Sequence, residues 1–208
     1  MGDTTAEPTP PSTAHPPTGR RERKKAATRQ ALADAALRLF LEHGYDRVGI
    51  RDIAEAADVS TTTLFKHFAG KEALVFDEDA NDEARLLAAV RERPAGRSIP
   101  AALREHALRY RLKSGDTDAD FAEFVELVER TPALREYGER MWLRHEAALA
   151  RAIAEETGRP EDDPDCAALA HFALRAPQIG PGRIDAVVAT DHAFDLLDRG
   201  WQGLGVEK

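Results

Sequence analysis

The chain has 208 residues, room for one or two domains that bury real cores without disulfides or metals. Its single cysteine, Cys166, cannot form an internal bridge, and no cleavable leader or apolar run of membrane-spanning length is present, which points to the cytoplasm and away from a membrane. The net charge of −8 argues against indiscriminate nucleic-acid binding, but it hides an asymmetry: residues 20–71 hold 11 Lys and Arg against 7 Asp and Glu, net +4, while residues 72–208 hold 18 against 28, net −10.

Ala, Leu, Glu and Arg dominate and alternating β-branched runs are scarce, so the expected fold class is all-α. Residues 1–18 are rich in Pro, Thr and Ala and nearly free of large apolar groups; they read as a disordered arm. The basic cluster Arg20, Arg21, Arg23, Lys24, Lys25 and Arg29 follows and leads directly into a helix, which suits phosphate contact. That helix is expected over 31–43, where Leu32, Ala35, Ala36, Leu39 and Phe40 make one apolar stripe and Gly44 ends it.

Residues 49–71 carry the chemistry. Ile50, Ile53, Ala54 and Ala57 fall three and four apart and form one apolar face, which Val59, Leu64 and Phe68 cover. Ala57-Asp58-Val59 makes a tight break, Ser60 stands at an N-cap, and a second short helix starts at Thr61. The residues this helix leaves unburied are Thr61, Thr62, Thr63, Phe65, Lys66 and His67: hydroxyls, an aromatic edge and cations, suited to base edges and phosphates. With residues 31–43 as a third wall, the helix-turn-helix gains a small three-helix core of Leu32, Leu39, Phe40, Ile53, Leu64 and Phe68.

The run from Ala31 to Leu74, with Phe-x-x-x-Gly-Tyr, Ile-Ala, Val-Ser, Leu-Phe-x-His-Phe and Gly-Lys-Glu in order, closely resembles the N-terminal signature of the TetR family of bacterial transcriptional regulators. The resemblance implies a DNA-binding domain over 19–71 and a helical effector-binding and dimerisation domain over 72–208. It also implies a homodimer on a palindromic double-stranded DNA operator, released by a small organic effector. It assigns Thr61, Thr62, Thr63 and Lys66 to the major groove, His67 and Lys71 to phosphates, and Gly49 with Arg51 to the backbone at the start of the first helix of the motif. Two positions depart from the family pattern. Asp58 replaces a usual Gly, and Asp tolerates left-handed geometry; Phe65 replaces a usual Tyr and lacks the hydroxyl that relatives offer to a phosphate.

Beyond the motif, helices are expected over 72–91, 100–113, 118–129, 132–156, 165–176 and 185–203, separated by Pro and Gly breaks. Asp77, Glu78, Asp79, Asp82 and Glu83 read as a solvated face, with no His at metal-ligand spacing beside them. In the family the last two long helices pair with their copies as a four-helix bundle. Here Ala167, Ala168, Ala170, Phe172, Ala173, Val187, Val188, Phe194, Leu197 and Trp201 are available for that seam. Tyr110, Phe121, Phe124, Met141, Trp142, His145, His171, Phe172 and Gln178 combine aromatic walls with a few polar groups and are the candidates for an effector pocket. No Walker loop, dinucleotide fingerprint, nucleophile elbow, paired zinc histidines or Cys-x-x-Cys occurs, so neither catalysis nor a cofactor is expected. A regulator controlled by a protein partner, or by concentration alone, is the alternative to effector control.

Overall fold

The first helix, α1 (Arg20–His43), starts eleven residues earlier than the apolar stripe suggests. The stripe marks only where the helix is buried; Arg, Lys, Glu and Ala are all good helix formers, so the basic cluster winds as an exposed extension. Gly44 closes it with φ 83°, its N–H donating to the Phe40 carbonyl at 2.9 Å. The computed structural model describes residues 19–113, 118–178 and 185–204, with the side chains of 110–113, 118–121, 178 and 186 outside that description. The expected arm over 1–18 therefore lies outside the described residues.

A 3-10 turn (Tyr45–Arg47) leads to α2 (Ile50–Ala56) and α3 (Thr61–His67). The chain does not then run straight into a helix from residue 72, as the sequence suggests. Glu72–Leu74 forms a 3-10 turn, and α4 (Asp79–Arg91) starts later. The physical reason is burial: Ala73, Leu74 and Val75 are all buried in succession, which one face of a straight helix cannot provide. The body continues with α5 (Ile99–Lys113), α6 (Asp118–Arg130), α7 (Pro132–Thr157), α8 (Pro164–Arg175) and α9 (Ala186–Gly203). Pro132 opens α7 and Gly158 ends it at φ 66°, the left-handed cap geometry. Asp163 and Asp185 cap α8 and α9 by accepting from two backbone N–H groups each. All regular structure among the described residues is helical, and no helix there is long and apolar enough to cross a membrane.

Two apolar clusters hold the elements. The first joins Leu32, Ala36, Phe40, Ile53, Leu64 and Phe68 from the first three helices to Leu74 and Val75, and then to Leu127 of α6 and Leu134 of α7. The three-helix N-terminal unit, expected as the DNA reader, thus shares its core with the body instead of closing on itself. Leu39, expected inside, is only partly buried at its edge. The second cluster packs Leu86 and Val90 of α4, Ile99 and Leu103 of α5, Leu149 and Ile153 of α7, Leu169 of α8, and Phe194 and Trp201 of α9. Polar ties reinforce it between α5 and α9. Arg104 Nε donates to Asp191 at 2.6 Å, Arg104 also reaches Asp195, and Ser98 donates to Asp198 at 2.6 Å.

The expected dimer seam divides accordingly. Ala170, Ala173, Phe194 and Trp201 are buried within the single chain, because α5 and α7 already cover the inner sides of α8 and α9. Ala167, Ala168, Phe172, Val187 and Val188 stay exposed, joined by Leu196.

Candidate DNA interface

The elbow between α2 and α3 is set by three residues. Asp58 takes φ 52°, alone among the described non-glycine residues in having positive φ, and the Val59 N–H then reaches back to the Ala54 carbonyl at 2.9 Å. Ser60 is extended, and its hydroxyl accepts from the Thr63 N–H at 3.1 Å, the cap expected from sequence. Its Oγ also lies 2.9 Å from the Thr63 hydroxyl, so Thr63 is partly committed to the cap and half-buried. Seven residues of helix have little stability of their own. Ser60→Ala is expected to lower the unfolding free energy by about 1 kcal/mol, read as a shift in the urea midpoint with an unchanged slope; no shift would mean that water replaces the cap.

With Leu64 and Phe68 fully inside, α3 turns Thr61, Thr62, Phe65 and Lys66 outward, and Phe65 is 56% exposed. Arg51 on α2 is exposed as well, and the exposed Gly49 donates its N–H to the Asp52 carboxylate at 2.7 Å, fixing the start of that helix. The basic extension of α1 from Arg20 to Lys25 is exposed too.

Two expected phosphate groups are placed differently. Lys71 is half-buried, its Nζ donating to the Tyr45 carbonyl and lying 3.8 Å from the Tyr45 ring centroid and 5.2 Å from that of Phe40. Burial holds its ammonium below the usual lysine range, and Asp46, Glu72 and Asp52 oppose that shift. Reaching a phosphate would require it to leave this cage. Tyr45 in turn donates to Glu72 at 2.8 Å; burial first, and then that carboxylate, push its phenol above the usual range. His67 is half-buried, and burial, then the charges of Arg29 and Lys25, keep its imidazole below the usual histidine range.

Arg29 has a role that its sequence neighbours do not suggest. It is no part of the exposed basic extension: its guanidinium donates to the His67 carbonyl at 2.5 Å and to the Asp77 carbonyl at 2.7 Å, over the Phe68 ring. One signal in the sequence could have found it, since Arg29 falls in register with Leu32, Ala36 and Phe40 on the buried stripe.

The effector candidates fall into separate groups. Met141 and His145 are buried on α7; His145 Nε2 lies 2.7 Å from Asp79 on α4 and 3.7 Å from Glu83, with the Trp142 ring edge-on at 5.9 Å. Arg144 also pairs with Asp79, so this part of the acidic stretch is a bridge between α4 and α7 and not merely a solvated face. Phe124 packs edge-on to Phe76 against the reader core. His171 and Phe172 are exposed neighbours on α8, and His171 pairs with Glu146 at 3.0 Å. The side chains of Tyr110, Phe121 and Gln178 lie outside the described residues. Among those described, no group of three or more His, Cys, Asp or Glu is arranged to hold a metal ion.

The chain is similar to known regulators over this region and beyond it. The family model TetR_N, described as bacterial regulatory proteins of the tetR family, matches residues 32–77, the segment containing α2, α3 and the Lys71 cage. The HTH-type transcriptional regulator TcmR of Streptomyces glaucescens is 37% identical over 166 residues, spanning 76% of this chain and 74% of that protein. The HTH-type transcriptional repressor AcnR of Corynebacterium diphtheriae is 28% identical over 144 residues, 65% of this chain and 69% of the relative. Among solved structures, SmeT, the repressor of the Stenotrophomonas maltophilia multidrug efflux pump SmeDEF, has the same fold: TM-score 0.54 at 19% identity, covering 85% of this chain and 91% of the other. The relatives are regulators, not enzymes. The chain belongs to the TetR family of bacterial transcriptional regulators.

Proposed function

We propose that this regulator is a repressor that binds a palindromic operator as a homodimer in the cytoplasm and is released by a small organic effector. The observation that carries the DNA part is the division of α3: Leu64 and Phe68 are buried, while Thr61, Thr62, Phe65 and Lys66 face out. Hydroxyls and a cation on an outward helix face suit base edges. Gly49, Arg51 and the exposed extension from Arg20 to Lys25 suit phosphates. Thr63 and Lys71 join them only by giving up internal partners, while a neutral His67 offers a phosphate one N–H donor and no charge.

Residues 19–71 would read DNA and residues 72–208 would bind effector and partner, with the shared core at Leu74, Leu127 and Leu134 transmitting between them. Support for an effector site comes from the part-buried His145–Asp79 pair, with the Trp142 ring edge-on to His145 and Met141 buried one turn away on α7. A few polar groups set among apolar walls are what a small-molecule site requires. Because Asp79 opens α4, a ligand competing for His145 would disturb the helix that connects the reader to the body. The exposed apolar face of α8 and α9 is the candidate dimer contact, and the name of AcnR supports repression.

The DNA reading is tested by substituting Thr61 and Lys66. Each change is expected to alter base preference at particular operator positions, at about 1 to 3 kcal/mol per good base contact. Unaltered preference in binding assays with single-base operator variants would place another surface in the groove.

A further inference from the structure

Helix α3 is two turns long and ends at His67, after which Phe68 is extended (φ −134°, ψ 134°). So short a helix has its direction imposed by what holds its ends. Ser60 holds the first end. At the other, the His67 carbonyl is one of the orphan acceptors every helix C-terminus leaves, and it accepts from Arg29 Nη1 at 2.5 Å. The second arm of the same guanidinium donates to the Asp77 carbonyl at 2.7 Å, two residues before α4. Its plane lies over Phe68, 4.1 Å from the ring centroid, so the fork is held from a third side. One side chain from α1 thereby joins the end of α3 to the segment that opens into α4.

We propose that Arg29 is a positioning residue for DNA recognition, setting the direction of α3 through two backbone carbonyls and not serving as a phosphate ligand like the basic residues before it. This rests on the reading of α3 as the base-contacting helix. A positive charge at a helix C-terminus is favourable in itself, but a charge alone does not fix direction. The planar fork does, because it can satisfy two carbonyls at once, which an ammonium on a flexible stem does poorly. With the clamp cut, α3 keeps its cap and its buried Leu64 but loses a fixed angle, and correct base pairs are the contacts that suffer.

The test uses the full chain with Arg29→Met and Arg29→Lys, folded at the assay temperature by circular dichroism. Each is titrated with a duplex selected by the parent protein and with an unrelated duplex, over a range of salt. The expected result is a fall of about 10-fold in the ratio of selected to unrelated affinity for Arg29→Met, with little recovery in Arg29→Lys. The salt slope should be unchanged in both. If Arg29→Met does not fold, the lysine variant alone carries the test. A slope reduced by about one ion with the ratio intact would make Arg29 a phosphate ligand and overturn the proposal. An intact ratio and slope with only a lowered melting temperature would make it structural and overturn it equally. If the parent chain shows no sequence preference, the DNA reading itself fails, a result visible before any variant is made.

Discussion

Phe40→Ala is expected to lower the unfolding free energy by about 3 to 5 kcal/mol, a large share of the roughly 5 to 15 kcal/mol that holds an ordinary protein folded. Phe40 is 1% exposed, sits in the first cluster with Leu32, Leu64 and Leu74, and its ring lies 5.0 Å from that of Tyr45. Truncation would remove one wall of the Lys71 cage as well as the contact with Tyr45, leaving an ammonium half-buried over a void. The cluster also includes Leu127 and Leu134, so the loss should reach α6 and α7 and not melt the reader alone. Urea unfolding monitored by circular dichroism measures this directly. Phe65→Ala is the control: that ring is 56% exposed, and its loss should change stability by no more than about 0.5 kcal/mol. A change below about 1 kcal/mol for Phe40→Ala would mean that the cluster repacks freely and that the described core does not hold the reader.

The second large effect is expected at the outer face of α8 and α9. Leu196 is 68% exposed, Phe172 55%, Val188 47% and Val187 42%, apolar side chains on helices whose inner sides are already covered. In a two-fold dimer each such residue meets the same patch on the other copy, so a carboxylate introduced there is doubled and faces its own kind. The double substitution Phe172→Glu with Leu196→Glu should produce a folded monomer by sedimentation equilibrium. Because the second half-site then binds independently, operator affinity should fall by about 100-fold or more. A variant that remains dimeric, or a monomer that binds the operator as well as the parent does, would rule this face out as the dimer contact.

Much of the reader was legible because its signals are local. The spacing of Ile50, Ile53 and Ala54, the left-handed tolerance of Asp58 and the capping preference of Ser60 each act within four residues, and the structure places them as those preferences require. What was illegible acts over distance. Lys71 reaches the Tyr45 carbonyl 26 residues away, and Arg29 reaches carbonyls 38 and 48 residues along the chain. Backbone carbonyls have no residue-type signature, so the register of Arg29 with the buried stripe announces that it points inward but not which carbonyls it meets. Burial also misled where two helices compete for the same side: Phe194 and Trp201 read as seam residues, yet α9 turns them inward onto the second cluster. The aromatic and histidine candidates for the effector were chosen by type, and type does not decide that His145 finds Asp79 inside while His171 finds Glu146 at the surface.

In the proposed dimer, two copies of α3 read the two halves of one symmetric site. Selection of bound duplexes from random and genomic fragments, run in parallel on the parent chain and on Lys66→Ala, tests it most directly. The expected result is enrichment of an inverted repeat whose half-sites lie about 34 Å apart, or a multiple of that, with the preference changed at symmetric positions in the variant. Enrichment of no common sequence, or of the same sequence by both proteins, would contradict it.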